Sequence, residues 1–224
     1  PNQLGVHDDS LVPGLRELTE AVHAHGGTIL LQLAHAGYFA NEELTRCQPL
    51  TVSRTTTCAA KPCEELSLER IHELVRAFGQ AALRAQKAGF DGVQLHAAHG
   101  YLLSQFLSPA FNQRADDYGG RLTNRLRIHQ EIYQAVRSLV TETFPVLIKI
   151  NSKDFVTQGL TVQDATEAAH QLADTGFDAI EVSGGLVSGG KLSPSCRNIR
   201  DPRKESYFKK FASKIKPGLA CPLI

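Results

Sequence analysis

The chain of 224 residues contains no Met and no Trp. A sequence of this length without Met, opening on Pro1-Asn2, reads as a processed product or a fragment of a longer polypeptide. No apolar run approaches the roughly 20 residues of a membrane span, and Pro1 to Asp9 lacks the basic and apolar regions of a signal peptide. No membrane partner is expected, and the cytoplasm is the default location. Charge of one sign is also lacking, since 24 Lys and Arg face 23 Asp and Glu for a net charge of +1. That balance argues against nucleic acid as a partner, and the basic stretch from Arg197 to Lys216 reads as a solvated helix face. The five cysteines (Cys47, Cys58, Cys63, Cys196, Cys221) are odd in number and form no C-x-x-C pair, so neither a disulfide framework nor a zinc or iron–sulfur clamp is indicated. Cys58 and Cys63, without electropositive neighbours, read as idle or buried thiols rather than a redox pair. No G-x-G-x-x-G follows any apolar run, which leaves a dinucleotide-binding doubly wound sheet little support.

What is present is an ordinary globular composition, 42% hydrophobic and 21% charged. Branched apolar runs alternate with segments of helical period, the pattern of a parallel α/β protein. Strands are expected at Thr28–Leu33, Val93–His96, Val146–Asn151 and Ala179–Val182, with a fifth beginning at Pro222–Ile224. Helices are expected over Leu11–Ala24 with Ser10 as cap, from a Ser67 cap to Gly89, and from Leu122 through Leu139. Two more run from the capping box Thr161-x-x-Asp164 to Gly176, and from Asp201-Pro202 through Ile215. The connections Ala34–Leu66 and Ala97–Gly120 are long enough to be functional rather than idle. Strands starting near 28, 91, 146, 179 and 221 are roughly 48 residues apart, so the eight units that close a β/α barrel would need about 384 residues.

In a parallel architecture, function collects at the carboxyl ends of strands. Those ends carry Gln32 to Gly37, His96-Ala97-Ala98-His99-Gly100-Tyr101, Lys149-Ile150-Asn151, and Glu181-Val182-Ser183-Gly184-Gly185. Two histidines three apart suit a metal pair, a pair polarising a carbonyl oxygen, or structural histidines with satisfied hydrogen bonds. A metal site would need further ligands; His35 is one candidate, and Glu181 is the one carboxylate at a neighbouring strand end, its direction open. Lys149 stands in an otherwise apolar strand and must reach the mouth or pair, because an isolated buried ammonium is costly. It is either half of a structural ion pair or a cation beside an electron-rich ring that becomes anionic, with the Gln32 amide reading the same ring's edge. A flavin fits the second description.

The stretch from Ala88 through His96, His99, Tyr101, Ser108-Pro109, Asn112, Arg114, Asp117-Tyr118-Gly119-Gly120 and Asn124-Arg125 closely resembles the Old Yellow Enzyme family of NAD(P)H:flavin oxidoreductases. So do Gln32 to Gly37, Lys149-Ile150-Asn151-Ser152-Lys153-Asp154-Phe155 and Glu181 to Gly185, in the family's order. The resemblance implies a (β/α)8 TIM barrel, here strands 3 to 6 and the start of strand 7, as one partial FMN-binding domain over 1–224 with no second domain visible. It implies FMN held non-covalently, NAD(P)H as reductant, and reduction of the C=C bond of a small-molecule enone or related electrophilic alkene. Gln32 then binds the flavin's pyrimidine edge, Lys149 lies near N1 and O2 where many relatives carry Arg, and Ser183 and Gly184 either face the ribityl or phosphate side or, as small residues at a strand end, simply allow close packing. His96 and His99 hold the substrate carbonyl, His96 lying also against the cofactor, and Tyr101 is the general acid. His35 and Gly37 shape the flavin edge. Asn112, Arg114, Asp117 to Gly120, Asn124 and Arg125 are expected to fold the long loop and cap the helix. Missing barrel strands leave open sheet edges, so a homo-oligomer is one expectation; a truncated, flavin-free piece and a metal-dependent barrel hydrolase on His96, His99 and His35 are the alternatives.

Overall fold

The computed structural model describes residues 3–54, 62–187 and 199–224. Cys58 and Cys196 lie outside the described residues, as does the start of the basic stretch at Arg197. After a 3-10 turn at Asp9–Leu11, helix α1 (Val12–His23) leads into strand β1 (Leu30–Leu33). The cap differs from expectation. Ser10 caps nothing: Asp8 caps the 3-10 turn, its side chain accepting from Ser10 N at 2.9 Å, and α1 begins after Leu11 with no side-chain cap bond.

The connection from Ala34 to Leu66 has structure of its own. It carries a 3-10 turn at Gly37–Phe39, the short helix α2 (Glu42–Thr45), and strands β2 (Leu50–Thr51) and β3 (Glu64–Glu65), paired in parallel. Helix α3 (Leu68–Lys87) follows, with the Ser67 hydroxyl accepting from Arg70 N as the sequence leads one to expect. Then come β4 (Gly92–Ala97), helix α4 (Leu102–Leu107) inside the second long connection, and α5 (Leu122–Arg137). The chain continues through β5 (Val146–Asn151), α6 (Val162–Thr175) and β6 (Ala179–Ser183). Thr161 caps α6 through Asp164 N, and Gly176 ends it in the left-handed region. The expected helix from Asp201 to Ile215 is divided into a 3-10 turn at Pro202–Lys204 and helix α7 (Lys209–Ile215). Ser206 adopts φ 52 between them, which no helix tolerates in its interior.

The main sheet runs β1-β4-β5-β6, all neighbours parallel, with helices in the crossovers. Beyond β6 the chain returns at 222–224, where Ile180 N donates to Pro222 O and Val182 N to Ile224 O, the beginning of the expected fifth strand. Period-two alternation gives each strand two faces. Val93, Leu95, Ala97, Val146, Ile148, Ile150, Ile180 and Val182 are buried on one. Helix α3 packs against β1 and β4 and helix α6 against β6, and each large apolar side chain fully buried between them contributes about 1.5–3 kcal/mol. The other face carries Gln32, Gln94, His96, Lys149, Asn151, Glu181 and Ser183.

The family-like polar residues of the second connection tie loops down as expected, but they do not cap the helix: α5 begins after Arg121 with no side-chain cap bond. Arg114 donates through Nη1 to Val52 O and Leu66 O and through Nε and Nη2 to Asp116, thereby holding β2, β3 and the turn after α4 together. Asn112 Nδ2 donates to Phe106 O and Tyr118 O, and Arg125 Nη1 to Leu107 O. Gly119 must lack a side chain, because a Cβ there would lie 2.1 Å from Arg114 O. Arg114→Ala strands two carbonyls and a carboxylate at once; we expect a loss of about 3 kcal/mol, read as a lower urea midpoint at unchanged m-value.

Candidate active site

Strand register places the polar face in layers. Gln32 lies opposite Gln94, His96 opposite Lys149, Lys149 opposite Glu181, and Asn151 opposite Ser183. On this face Gln32 Nε2 donates to Gln94 Oε1 at 2.6 Å, and Gln94 Nε2 donates to Glu181 Oε2 at 2.9 Å. Lys149 Nζ donates to Glu181 Oε1 at 2.7 Å, one of its three N–H donors. Burial opposes the charged form of Glu181, but the bonds from Lys149 and Gln94 outweigh it and hold the carboxyl below its usual range. The direction of Glu181, open in the sequence, is therefore inward.

The two histidines and the tyrosine gather next to this network, His96 level with Lys149 in the register. The His96 ring lies with its centroid 5.1 Å from those of His99 and Tyr101. Tyr101 is the residue preceding α4, and Phe39 from the first long connection meets its ring edge-on at 6.0 Å. His99 has a left-handed backbone, φ 65. That conformation is fastened from three sides: its N–H donates to Asn151 Oδ1 at 3.0 Å, its carbonyl accepts from Val187 N at 2.9 Å, and its Nε2 is 2.7 Å from Ser183 Oγ. Asn151 is itself fixed by donating to Asp154 Oδ1 and Gly185 O. Burial raises the Asp154 pKa against the bonds that steady it, among them the one from Leu160 N.

Burial, aided by the neighbouring charges of His99 and Lys149 and against Glu181, lowers the His96 pKa to about 4. Burial and Lys149 lower that of His99 to about 4 as well. Both imidazoles are neutral at neutral pH and can present N–H donors without carrying charge. His96 Nδ1 is buried with no hydrogen-bond partner among the described residues. An orphaned buried nitrogen facing a polar layer asks for a ligand.

The remaining sequence candidates are placed as follows. His35 Nδ1 accepts from Gly37 N, which turns the ring onto its own loop. Gly184 is buried, and a Cβ there would meet Phe208, Ser152 and Phe155, so any contact it makes with a ligand runs through its backbone. Among the described residues no three His, Cys, Asp or Glu side chains are grouped to hold a metal ion. Sequence reasoning missed Gln94. The signal was there: it stands two residues before His96 in the same strand, so alternation puts both on one face.

A family profile for the NADH:flavin oxidoreductase / NADH oxidase family matches residues 1–222. The chain belongs to that family. Among solved structures, the old yellow enzyme homologue from Zymomonas mobilis is 28% identical, with a TM-score of 0.78 over 98% of this chain and 62% of that one. Morphinone reductase in complex with tetrahydroNAD is 26% identical, with a TM-score of 0.78 over 98% of this chain and 61% of that one. A 2-naphthoyl-CoA reductase complexed with 2-naphthoyl-CoA is 26% identical, with a TM-score of 0.86 over 99% of this chain and 35% of that one. The chain thus spans about three fifths of the length of the first two relatives and about a third of the last. As a member of the Old Yellow Enzyme group within this family, it has the fold of an incomplete (β/α)8 barrel.

Two predictions come from the histidines. His96, His99 and the fully buried His129 all titrate near 4 in the folded chain and near the ordinary 6.5 when unfolded. Between pH 4 and 6.5 the unfolded state therefore binds more protons, so stability is full above about 6.5 and falls as pH drops through this window. The slope is up to about 1.4 kcal/mol per pH unit for each histidine, and NMR should show three imidazoles that stay neutral at pH 5.5. The second concerns backbone. His99→Asn, which tolerates a left-handed φ, should change unfolding free energy by less than about 0.5 kcal/mol, whereas β-branched His99→Val should cost about 1–3 kcal/mol in urea unfolding.

Proposed function

We propose that this chain carries the ring-binding and substrate-activating part of an FMN-dependent NAD(P)H oxidoreductase that reduces the C=C bond of α,β-unsaturated carbonyl compounds. One juxtaposition supports this most directly. His96, His99 and Tyr101 cluster beside a hydrogen-bonded network in which an amide, Gln32, and a cation, Lys149, are linked through Gln94 and Glu181, with His96 opposite Lys149 in the register. The tetrahydroNAD held by morphinone reductase supports a nicotinamide as the reductant. Bound FMN would supply a hydride, taken from NAD(P)H and delivered to the alkene.

The protein residues do the rest. The Gln32 amide offers both a donor and an acceptor to the pyrimidine edge of the ring, and Lys149 stands beside its N1 and O2 end, where positive charge favours the reduced form. Ser183 and Gly184 border the cofactor, Gly184 by its backbone. The Ser183 hydroxyl lies 2.7 Å from His99 Nε2; donating there, it would leave the proton of that neutral ring on Nδ1. His96 and His99 then direct N–H donors at the carbonyl oxygen of a small enone and stabilise the enolate that develops there. Tyr101 gives its phenolic proton to the carbon that does not receive the hydride. Hydride and proton together account for the two electrons and two hydrogens gained by the alkene.

The test begins with gel filtration of the chain after incubation with FMN, where co-eluting flavin absorbance is expected. A colourless chain would overturn the flavin assignment. Tyr101→Phe should reduce its flavin with NAD(P)H at the wild-type rate but lose alkene reduction by about 100-fold or more in stopped flow. Equal losses in both half-reactions would remove Tyr101 from the role of acid.

A further inference from the structure

The amide and the cation assigned to the edge of the ring are the two ends of one hydrogen-bonded chain, and both ends lead to Glu181. A carboxylate accepts and never donates. Gln94 must therefore turn its NH2 toward Glu181, which leaves its carbonyl for Gln32, and Gln32 must in turn direct its NH2 at Gln94. The orientation of both amides is dictated by a charge two side chains away. At the other end, Lys149 spends one N–H on the same carboxylate at 2.7 Å, so its positive charge is opposed by a negative one on the next strand. None of this is required for packing, because a neutral, shape-matched set would fill the same space without the cost of desolvating two ions.

We propose that Glu181 is a positioning residue that tunes the redox preference of the site: through Lys149 it limits how strongly the reduced flavin is favoured, and through Gln94 it fixes the amide of Gln32. The inference rests on the flavin reading given above. It differs from a plain structural ion pair in a measurable way. A structural pair affects stability alone, whereas a charge-balancing carboxylate and its cation act in opposite directions on the ratio of affinities for reduced and oxidised cofactor. The role of Gln94 is separable again, since cutting the relay there disturbs an orientation and leaves both charges in place.

The experiment is a redox titration of FMN bound to the full chain, with dissociation constants for both oxidation states. Glu181→Gln should raise the preference for reduced FMN tenfold or more, a positive shift of about 30 mV or more for a two-electron couple. Lys149→Gln should shift it the other way. The double variant Lys149→Gln/Glu181→Gln should fall between the two; it leaves no unpaired buried charge, so it folds where a single variant does not. Gln94→Leu should weaken binding of both oxidation states equally and leave the potential unmoved. Shifts in the same direction for the two charge variants, or no shift in either, would overturn the inference. A wild-type chain that takes up no FMN would overturn the functional reading beneath it, and that outcome is visible before any variant is made.

Discussion

Each strand of the main sheet has to satisfy two environments with one backbone. Alternate side chains meet the helices, where Val93, Leu95, Ile148 and Ile180 are fully buried, and the residues between them carry the amides, the ammonium, the carboxylate and the imidazoles. A slip of one residue in register would push Lys149 and Glu181 into the apolar layer and turn Ile148 and Ile180 out of it. Burying a charge without its partner costs several kcal/mol, more than exposing any one aliphatic side chain of the core. The residues that make the site useful therefore also hold the strands in register, and the apolar residues that make the fold stable also aim the polar ones.

Above the sheet, placement depends less on packing than on hydrogen bonds from side chain to backbone. Asn151 reaches across to the amide of His99, Asp154 steadies Asn151, and Ser183 meets the ring. Each of these groups stands at or just beyond a strand end, so the geometry of the loop is inherited from the ladder beneath it. A left-handed residue carrying a ring is held open in this way toward its neighbours before any ligand arrives, which is the condition for electrostatic preorganisation.

Much of this was legible in the sequence. Strand Val146–Asn151, the Ser67 and Thr161 caps and the Gly176 stop were fixed by local chemistry that no distant residue overrides. Helix α4 was invisible for a physical reason: all six of its residues are buried, so it shows no polar face and no helical period. Strands β2 and β3 are two residues long and have no periodicity to read; they are held from outside by Arg114. The break at Ser206 is a backbone event that composition does not signal. At the candidate site, the strand-end rule found His96, His99, Tyr101 and Lys149, and the family's motif strings gave them roles. Gln94 escaped although alternation sets it on the face of His96, and the direction of Glu181 stayed open because one polar residue inside a strand does not say which face is polar until its neighbours in the sheet are known.

The Arg114 fork has a consequence for the order in which the chain acquires its shape. Its carbonyl partners on Leu66 and Val52 precede it by 48 and 62 residues. During synthesis at about 5–20 residues per second, the segment bearing β2 and β3 leaves the ribosome several seconds before the side chain that will clasp it. For that interval it lacks its anchor. The first long connection, Phe39 included, is thus made early and clasped only once the second long connection has followed it.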